Sequence, residues 1–116
     1  MVSVEKQWGN YVVLHEHNNS VKVKELVVLP GKSLSMQRHL YRAEHWFVTQ
    51  GQATVYTRTN KDDILFEIYN EHELLSIPLN GWHQLRNEGT KVLKIIEIQY
   101  GTQCIEEDIE RIHQLK

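Results

Sequence analysis

Short β-forming segments follow one another along most of the chain, and most of them end close to a glycine, asparagine or proline. Their apolar residues alternate with polar ones or form short runs, and long helical patterns are absent before residue 105. This pattern is typical of a sandwich or barrel of short antiparallel strands. The predicted strands are Tyr11–Leu14, Val21–Leu29, Ser33–Tyr41, Glu44–Thr49, Gln52–Arg58, Ile64–Tyr69, Leu74–Ile77, Trp82–Arg86 and Val92–Gln99.

The segments between and after these strands complete an all-β prediction. His15–Ser20 and Asn60–Asp63 are polar and are predicted as hairpin loops. After Gly101, isoleucines stand at positions 105, 109 and 112 with acidic residues between them, which favours a short C-terminal helix or a turn. Because the chain has 116 residues and shows neither a linker nor a repeat, we expect one domain over residues 1–116.

The composition argues against several partners and locations. The net charge is −2 with acids and bases interspersed, so no basic surface for nucleic acid or anionic lipid is predicted. No apolar run approaches the roughly 20 residues of a membrane-spanning helix, and the N-terminus lacks the apolar centre of a signal peptide. A lone cysteine, Cys104, cannot form an internal disulfide, which indicates a reducing, cytoplasmic setting.

Four polar side chains with metal-binding chemistry can meet in such a fold. Gln37 and His39 are two residues apart, so on a strand both point to the same face. Glu44 follows after a short connection, and His83 lies on a later strand. Two imidazoles, a carboxylate and an amide oxygen suit Zn²⁺, Mn²⁺, Fe²⁺, Co²⁺ or Ni²⁺, with an open position for water or substrate. The sequence therefore predicts a divalent-metal site inside a small β-barrel.

These residues also carry a resemblance to the cupins, a superfamily of small jelly-roll barrels. The positions that match the first cupin motif are Gly31, Gln37, His39, Glu44 and Gly51. The positions that match the second are Pro78, Asn80, His83 and Asn87. Glutamine replaces the first histidine of the first motif, and His72 and Asn80 stand where the second motif has glycines. The resemblance implies a single cupin-type jelly-roll barrel.

A closer resemblance covers nearly the whole chain. The segment SLSMQRHLYRAEHW, residues 33–46, is similar to the core of type II phosphomannose isomerases, where this domain follows a sugar nucleotidylyltransferase. In phosphomannose isomerases a Gln-x-His pair, a glutamate and a distant histidine bind the catalytic zinc. The resemblance therefore implies a divalent metal held by Gln37, His39, Glu44 and His83. Zinc is the first choice, and manganese, iron, cobalt and nickel are alternatives.

The resemblance further implies a metal-dependent isomerase that interconverts mannose 6-phosphate and fructose 6-phosphate through an enediol. Such a reaction needs a base whose pKa lies near the working pH. Glu97 lies among apolar residues in KIIEIQ, where desolvation would raise the pKa of its carboxyl. Lys24 shares a strand face with Lys22 and would reach a phosphate or an enediolate. We expect Glu97 and Lys24 to be the catalytic side chains.

Four further residues are predicted to contact the substrate. Arg42 and Arg86 are candidates for gripping a phosphate, because a guanidinium binds phosphate oxygens in a fork. Trp46 shares strand parity with Glu44 and would form a wall against which a sugar stacks. Tyr41 belongs to a Leu40-Tyr41 pair that stands where related sequences often carry histidines, so it would influence which sugar is accepted.

Two other functions stay open on the sequence alone. One is a cupin epimerase or keto-isomerase that acts on another modified sugar, and the Leu40-Tyr41 pair favours such a change of substrate. The other is a non-catalytic module that binds a metal or a sugar. In each case we expect a small sugar or sugar phosphate as partner, and neither nucleic acid nor a membrane. Exposed edge strands invite pairing, so we also expect a homodimer.

Overall fold

A computed structural model describes residues 2–58 and 63–112. Within these ranges the chain forms strands and no helix, which confirms the all-β prediction. Accordingly, no helix there is long and apolar enough to cross a membrane. Apart from Asp63, the hairpin tip predicted at Asn60–Asp63 lies outside the described residues. The strands are β1 (Ser3–Lys6), β2 (Gly9–His17), β3 (Val21–Val28), β4 (Met36–Arg38), β5 (Arg42–Gln50), β6 (Ala53–Arg58), β7 (Ile64–Tyr69), β8 (Leu74–Ile77), β9 (Trp82–Arg86), β10 (Leu93–Gly101) and β11 (Glu110–Ile112).

The strands form two antiparallel sheets. The six-stranded sheet has the order β1-β2-β3-β10-β5-β8, and the five-stranded sheet has the order β11-β4-β9-β6-β7. Strands that are distant in sequence become neighbours, since β10 lies between β3 and β5 and β9 lies between β4 and β6. This arrangement is consistent with the predicted jelly roll. It also places β3, β5 and β10 of one sheet opposite β4 and β9 of the other. These five strands carry most of the predicted site residues.

A hydrophobic core fills the space between the sheets at one end. Side chains of β5 and β10 alternate between buried and less buried positions, as expected for strands with one face in the core. Val48, Leu85 and Ile95 are each at most 1% exposed. Burying a side chain of this size contributes about 1.5–3 kcal/mol, so this apolar end stabilises a frame on which polar groups at the other end are held.

The turn between β2 and β3 is shorter than the predicted polar loop. Residues 15–17 belong to β2, and only the segment Asn18–Ser20 leaves the ladder. Asn18 and Asn19 have φ angles of 50° and 61°, the left-handed region that asparagine tolerates better than most residues. A tight hairpin built on these two asparagines needs no additional loop residues, so the histidines continue the strand.

The segment predicted as one strand over Ser33–Tyr41 is mostly irregular. Only Met36–Arg38 is regular strand, and Ser33 makes an isolated bridge to Arg86. The backbone N–H groups of Leu40 and Tyr41 donate to a carboxylate, that of Asp108, instead of to a neighbouring strand. A strand ladder is therefore not needed to satisfy these two donors.

The C-terminal segment forms a turn and a strand, so the helix alternative was wrong. The turn lies at residues 106–107, and Glu110–Ile112 pairs with β4 as β11. The isoleucine spacing fits one side of a helix, but β4 has a free edge that offers backbone partners. Pairing with that edge satisfies donors and acceptors on both strands, and this tertiary contact overrides the local pattern.

Candidate metal centre

Three potential metal ligands meet at the polar end of the molecule. His39 follows β4, Glu44 lies on β5 and His83 lies on β9, and each is at most 3% exposed. One ligand atom from each residue lies within 4.8 Å of the others. The cluster draws on both sheets because Gln37, two residues before His39, is the register partner of His83. Sheet pairing therefore fixes the distance between the two histidines.

Both imidazole rings are oriented by hydrogen bonds to backbone carbonyls. His39 Nδ1 lies 2.5 Å from the carbonyl oxygen of Asp108, and His83 Nδ1 lies 2.8 Å from that of Gly81. A carbonyl only accepts, so each Nδ1 carries the proton and each Nε2 keeps its lone pair. His39 Nε2 lies 3.3 Å from Glu44 Oε2, and His83 Nε2 lies 3.9 Å from Glu44 Oε1. Both lone-pair nitrogens thus converge on one carboxylate.

This arrangement fits a divalent metal. Two ligands at about 2.1 Å from one ion lie at most about 4.2 Å apart, a limit that both nitrogen–oxygen distances satisfy. Gln37 lines the adjoining cavity, and its amide nitrogen donates to the carbonyl of Ser35 at 3.3 Å. Its amide oxygen is therefore the atom available as a fourth ligand. The described residues thus contain a His–Glu–His cluster that could bind a metal, with Gln37 beside it.

Burial keeps the two histidines neutral. Desolvation, followed by the nearby Arg42 charge, lowers the pKa of His39 to about 4, although its hydrogen bond to Asp108 acts in the opposite direction. Desolvation also lowers the pKa of His83. A neutral imidazole is the form that binds a metal ion.

Arg42 connects the cluster to the C-terminal segment. Its Nε donates to Glu44 Oε2 at 3.3 Å, and its Nη1 donates to the carbonyl of Ile105 at 3.1 Å. Its Nη2 lies 3.3 Å from His39 Nε2. Since that nitrogen has a single lone pair, a metal bound to His39 would replace this hydrogen bond while leaving the other two in place.

A second buried carboxylate lies beside the cluster. The indole N–H of Trp46 is shared between Glu44 Oε1 at 2.9 Å and Glu97 Oε2 at 3.1 Å. The amide of Gln99 donates to Glu97 Oε1 at 2.8 Å. Desolvation and the neighbouring Glu44 charge raise the pKa of Glu97 to about 8. Glu97 is therefore protonated at neutral pH, next to the Glu44 carboxyl group.

A cavity of about 480 Å³ opens in front of these groups. Glu44 and His83 border it, and Lys6, Lys24 and Arg111 lie among the residues of its wall. Lys24 Nζ makes a 2.9 Å ion pair with Glu106. The cavity thus joins a potential metal centre to a rim with several cationic side chains.

Most of the predicted site residues come together here. The residues that line the cavity are Lys24, Gln37, Arg42, Glu44, Trp46, His83 and Glu97, and His39 lies behind Glu44. Two predicted substrate contacts do not reach the cavity wall. Tyr41 is 49% exposed, and the Arg86 guanidinium stacks on Tyr56 at 3.9 Å. Arg86 also donates to Gln84, so its partners lie on the five-stranded sheet, away from the metal cluster.

Sequence reasoning missed Asp108. It is 6% exposed, its carbonyl orients His39, and its carboxylate accepts the N–H groups of Leu40 at 2.8 Å and Tyr41 at 2.9 Å. It thereby holds the connection between His39 and β5. The one signal in the sequence is an acid between two isoleucines, which also suits an exposed helix turn. Gln99, Glu106 and Arg111 of the cavity wall were missed as well.

Solved structures with the same fold are cupins. The chain superposes with the capsular polysaccharide assembling protein CapF of Staphylococcus aureus with a TM-score of 0.83 and 17% identity, covering 96% of this chain and 34% of CapF. Oxalate decarboxylase of Lactobacillus farciminis gives a TM-score of 0.80 and 16% identity, covering 96% and 33%. At these identities the likeness concerns the fold alone, which is the predicted cupin-type jelly roll.

Sequence comparison identifies the family. The family model for the C-terminal domain of mannose-6-phosphate isomerase matches residues 2–114, so the chain belongs to that family. A mannose-1-phosphate guanylyltransferase of Salmonella muenchen is 40% identical over 113 residues, which are 97% of this chain and 23% of that protein. The alginate biosynthesis protein AlgA of Pseudomonas putida is 39% identical over a region that covers 98% of this chain and 22% of AlgA. The xanthan biosynthesis protein XanB of Xanthomonas campestris pv. campestris is 39% identical over a region that covers 93% of this chain and 22% of XanB.

These comparisons correct the predicted activity. The interconversion of mannose 6-phosphate and fructose 6-phosphate was wrong: the curated relatives are named for guanylyl transfer or for alginate and xanthan biosynthesis, not as phosphomannose isomerases. The guanylyltransferase relatives are enzymes, but this chain spans less than a quarter of their length. A cluster of two histidines and a glutamate could hold a metal ion but leaves the reaction unspecified, since one fold hosts many chemistries.

Replacing Asp108 tests its role in positioning His39. Asp108→Ala leaves two backbone N–H groups without their acceptor, so we expect a loss of about 2 kcal/mol in the free energy of unfolding. We also expect about tenfold weaker metal binding, because the lost carboxylate holds the 40–41 backbone next to His39 and groups that support a metal ligand have effects of about this size. Denaturant unfolding and a zinc titration measure the two effects. Asp108→Asn, which keeps one acceptor oxygen, should be intermediate, and Glu107→Ala is the neighbouring control. Unchanged metal affinity would limit Asp108 to holding the backbone.

The buried titratable groups predict a stability optimum for metal-free protein near pH 6.5. Below about pH 6.5 the unfolded histidines bind protons that folded His39 and His83 do not, so stability falls as the pH drops toward 4. Folded Glu97 retains a proton that the unfolded state has lost, so stability also falls as the pH rises toward 8. Urea unfolding across pH 5–8 measures both limbs. Glu97→Gln should remove the alkaline decrease and steepen the acid one, because folded Glu97 retains its proton from about pH 4.5 to about 8 and so opposes the effect of the histidines below pH 6.5. A decrease in stability toward pH 8 that persists in this variant contradicts the assignment.

Proposed function

We propose that this chain is a divalent-metal-binding domain that holds a mannose phosphate or a related sugar, within an enzyme of mannose phosphate metabolism. The observation that carries the proposal is the buried cluster of His39, Glu44 and His83 beside a cavity with a cationic rim. The ligand class is supported by the family match and by the guanylyltransferase relatives, which are named for mannose 1-phosphate.

The proposed metal ligands are Gln37, His39, Glu44 and His83. Nitrogen and oxygen donors of this kind favour Zn²⁺ first, with Mn²⁺, Fe²⁺, Co²⁺ or Ni²⁺ as alternatives. A divalent ion held by these residues would polarise an oxygen of the bound sugar and stabilise negative charge on it. Trp46 donates its indole N–H to Glu44, which keeps the carboxylate in place when the ligand exchanges.

The charge of the cavity supports an anionic ligand. Its wall contains four cationic side chains, and these are Lys6, Lys24, Arg42 and Arg111. It contains three acidic ones, which are Glu44, Glu97 and Glu106. Glu97 is protonated at neutral pH because desolvation raises its pKa to about 8. The net charge of the cavity wall is therefore positive before any metal ion is added, and a positive wall suits a phosphate ester.

A metal and ligand titration tests this proposal. Chelator-treated protein should bind one zinc ion per chain, and His39→Ala and His83→Ala should each weaken that binding at least about tenfold. His45→Ala is the matched control, because His45 follows Glu44 but hydrogen-bonds Ser76 and Tyr100 instead. Calorimetry with mannose 1-phosphate should show binding that depends on the metal.

Two outcomes would contradict the proposal in different ways. Full metal content in the His39→Ala and His83→Ala variants would show that the metal site is elsewhere. Normal metal content without binding of mannose 1-phosphate, mannose 6-phosphate or mannose would leave the metal site intact and remove the ligand assignment.

A second candidate is acid–base catalysis, such as epimerisation, on a sugar bound in the same cavity. The observation that favours it is Glu97, a protonated carboxyl that borders the cavity next to the metal cluster. A carboxyl with a pKa near neutrality can both give and take a proton at a carbon of the bound sugar. Trp46 and Gln99 hold both of its oxygens by hydrogen bonds.

Exchange of carbon-bound hydrogen distinguishes catalysis from binding. Metal-loaded protein is incubated in D₂O with a panel of keto sugars and their phosphates, and deuterium uptake is followed by NMR. If Glu97 transfers the proton, Glu97→Gln should slow the uptake at least about a hundredfold while the metal content stays normal. No uptake with any sugar, or equal uptake in the variant, would reject this candidate.

The cytoplasmic location and the homodimer stay predictions. For the dimer, β7 lies at the edge of the five-stranded sheet, and Leu65, Phe66 and Ile68 on it are at least 50% exposed. An exposed apolar edge strand is a surface on which two chains can pair. The molar mass of the native protein in solution decides this point.

A further inference from the structure

Two lysines of β3 share a single carboxylate oxygen of Glu106. Lys24 and Glu106 line the cavity, and Lys22 lies beside Lys24, two residues away on the same strand. Lys22 Nζ lies 3.2 Å and Lys24 Nζ lies 2.9 Å from Glu106 Oε2. The lysine side chains are 12% and 5% exposed, whereas that of Glu106 is 47% exposed. Lys22 has a second carboxylate, that of Glu16, at 3.9 Å. Two largely buried ammonium groups thus converge on one point that solvent can reach.

The two lysines lie on β3, which is two strands away from β5, the strand that carries Glu44. Lys24 is the register partner of Glu97, and Glu97 is the register partner of Trp46, so the three residues form one row across β3, β10 and β5. Neighbouring strands are about 4.8 Å apart, which puts Lys24 roughly 10 Å from the strand that carries Glu44. A ligand with a hydroxyl at the cluster and a phosphate at the lysines would span this row.

The charges at this point favour an anion. Burial raises the pKa of Glu106, but hydrogen bonds and charges from Lys24 and Lys22 outweigh it and lower the pKa to about 2. A phosphate monoester carries up to about two negative charges and three acceptor oxygens, so it can satisfy both ammonium groups more fully than one carboxylate oxygen does.

The Glu106 side chain can be displaced without moving its backbone. The segment around it is held by other contacts, since Arg42 donates to the carbonyl of Ile105 and Asp108 accepts N–H groups from residues 40 and 41. None of these bonds involves the Glu106 carboxylate. Rotation of that side chain toward solvent would therefore release both lysines while the cavity wall stays in place.

We propose that Lys22 and Lys24 form the binding site for the phosphate group of the sugar ligand, and that the Glu106 carboxylate competes with phosphate for this site. The inference rests on the proposed function for the sugar, but the phosphate site itself is independent of the metal. It assigns Lys24 to ligand recognition and gives the exposed turn at residues 106–107 a role in setting ligand affinity.

The test compares three probes on metal-loaded protein by calorimetry: mannose 1-phosphate, mannose and inorganic phosphate. Glu106→Gln should tighten binding of both phosphate-containing probes about threefold to fivefold, the scale of one partly exposed ion pair. Lys24→Gln and Lys22→Gln should each weaken them about tenfold. Mannose should bind equally to all variants. Glu107→Gln is the matched control, because the Glu107 carboxylate has no partner among the described residues and lies in the same turn.

Each outcome decides between the two proposals. Unchanged phosphate binding in Glu106→Gln and in the lysine variants overturns the phosphate site, even if mannose 1-phosphate binds. Variant effects on inorganic phosphate without any mannose binding support the phosphate site and reject the sugar assignment. Melting temperature and zinc content confirm that each variant is folded. If Lys24→Gln does not fold, Lys22→Gln and Glu106→Gln carry the same comparison.

Discussion

Two hydrogen bonds from imidazole Nδ1 atoms to backbone carbonyls determine the geometry of the metal cluster. Because the carbonyls of Asp108 and Gly81 can only accept, the protons of His39 and His83 are placed on the far side of each ring from Glu44. Both lone pairs then face the same carboxylate. A rotated ring would present N–H to that position, which cannot bind a metal. The chemistry of the centre thus depends on main-chain atoms as much as on the ligand side chains.

The polar network is stable only because its charges are matched. Glu44 is 2% exposed, and an isolated carboxylate at that depth would cost several kcal/mol. Arg42 compensates the charge of Glu44 and donates to its Oε2, and the indole N–H of Trp46 donates to its Oε1. Glu97 avoids a second buried charge by keeping its proton. The apolar end of the sandwich carries the stability, while at this end Arg42 is paired with Glu44 and Lys24 with Glu106.

Local alternation accounts for what the sequence predicted well. Gln37, Glu44 and His83 face the cavity because strand side chains alternate between faces, and that rule needs only the residue number. The same rule separates His83 from Arg86, which are three apart and point to different surroundings. Asp108 could not be found in this way, since its bonds to His39 and to the 40–41 backbone span separations of 69, 68 and 67 residues and involve main-chain atoms. The C-terminal strand was missed for a related reason: a free edge on β4, invisible to local periodicity, decided its conformation.

The placement of Asp108 also has a consequence for the order of folding. The partners of its carbonyl and carboxylate lie far upstream, so the ring of His39 acquires its orientation only after the segment before β11 has joined the sheets. Closing such a long loop is slow compared with forming a hairpin. A nascent chain would then form the β2–β3 and β6–β7 hairpins early and acquire its metal affinity late. Metal capture would mark the final docking step, and the ion would find a preformed pocket instead of recruiting ligands from an open chain.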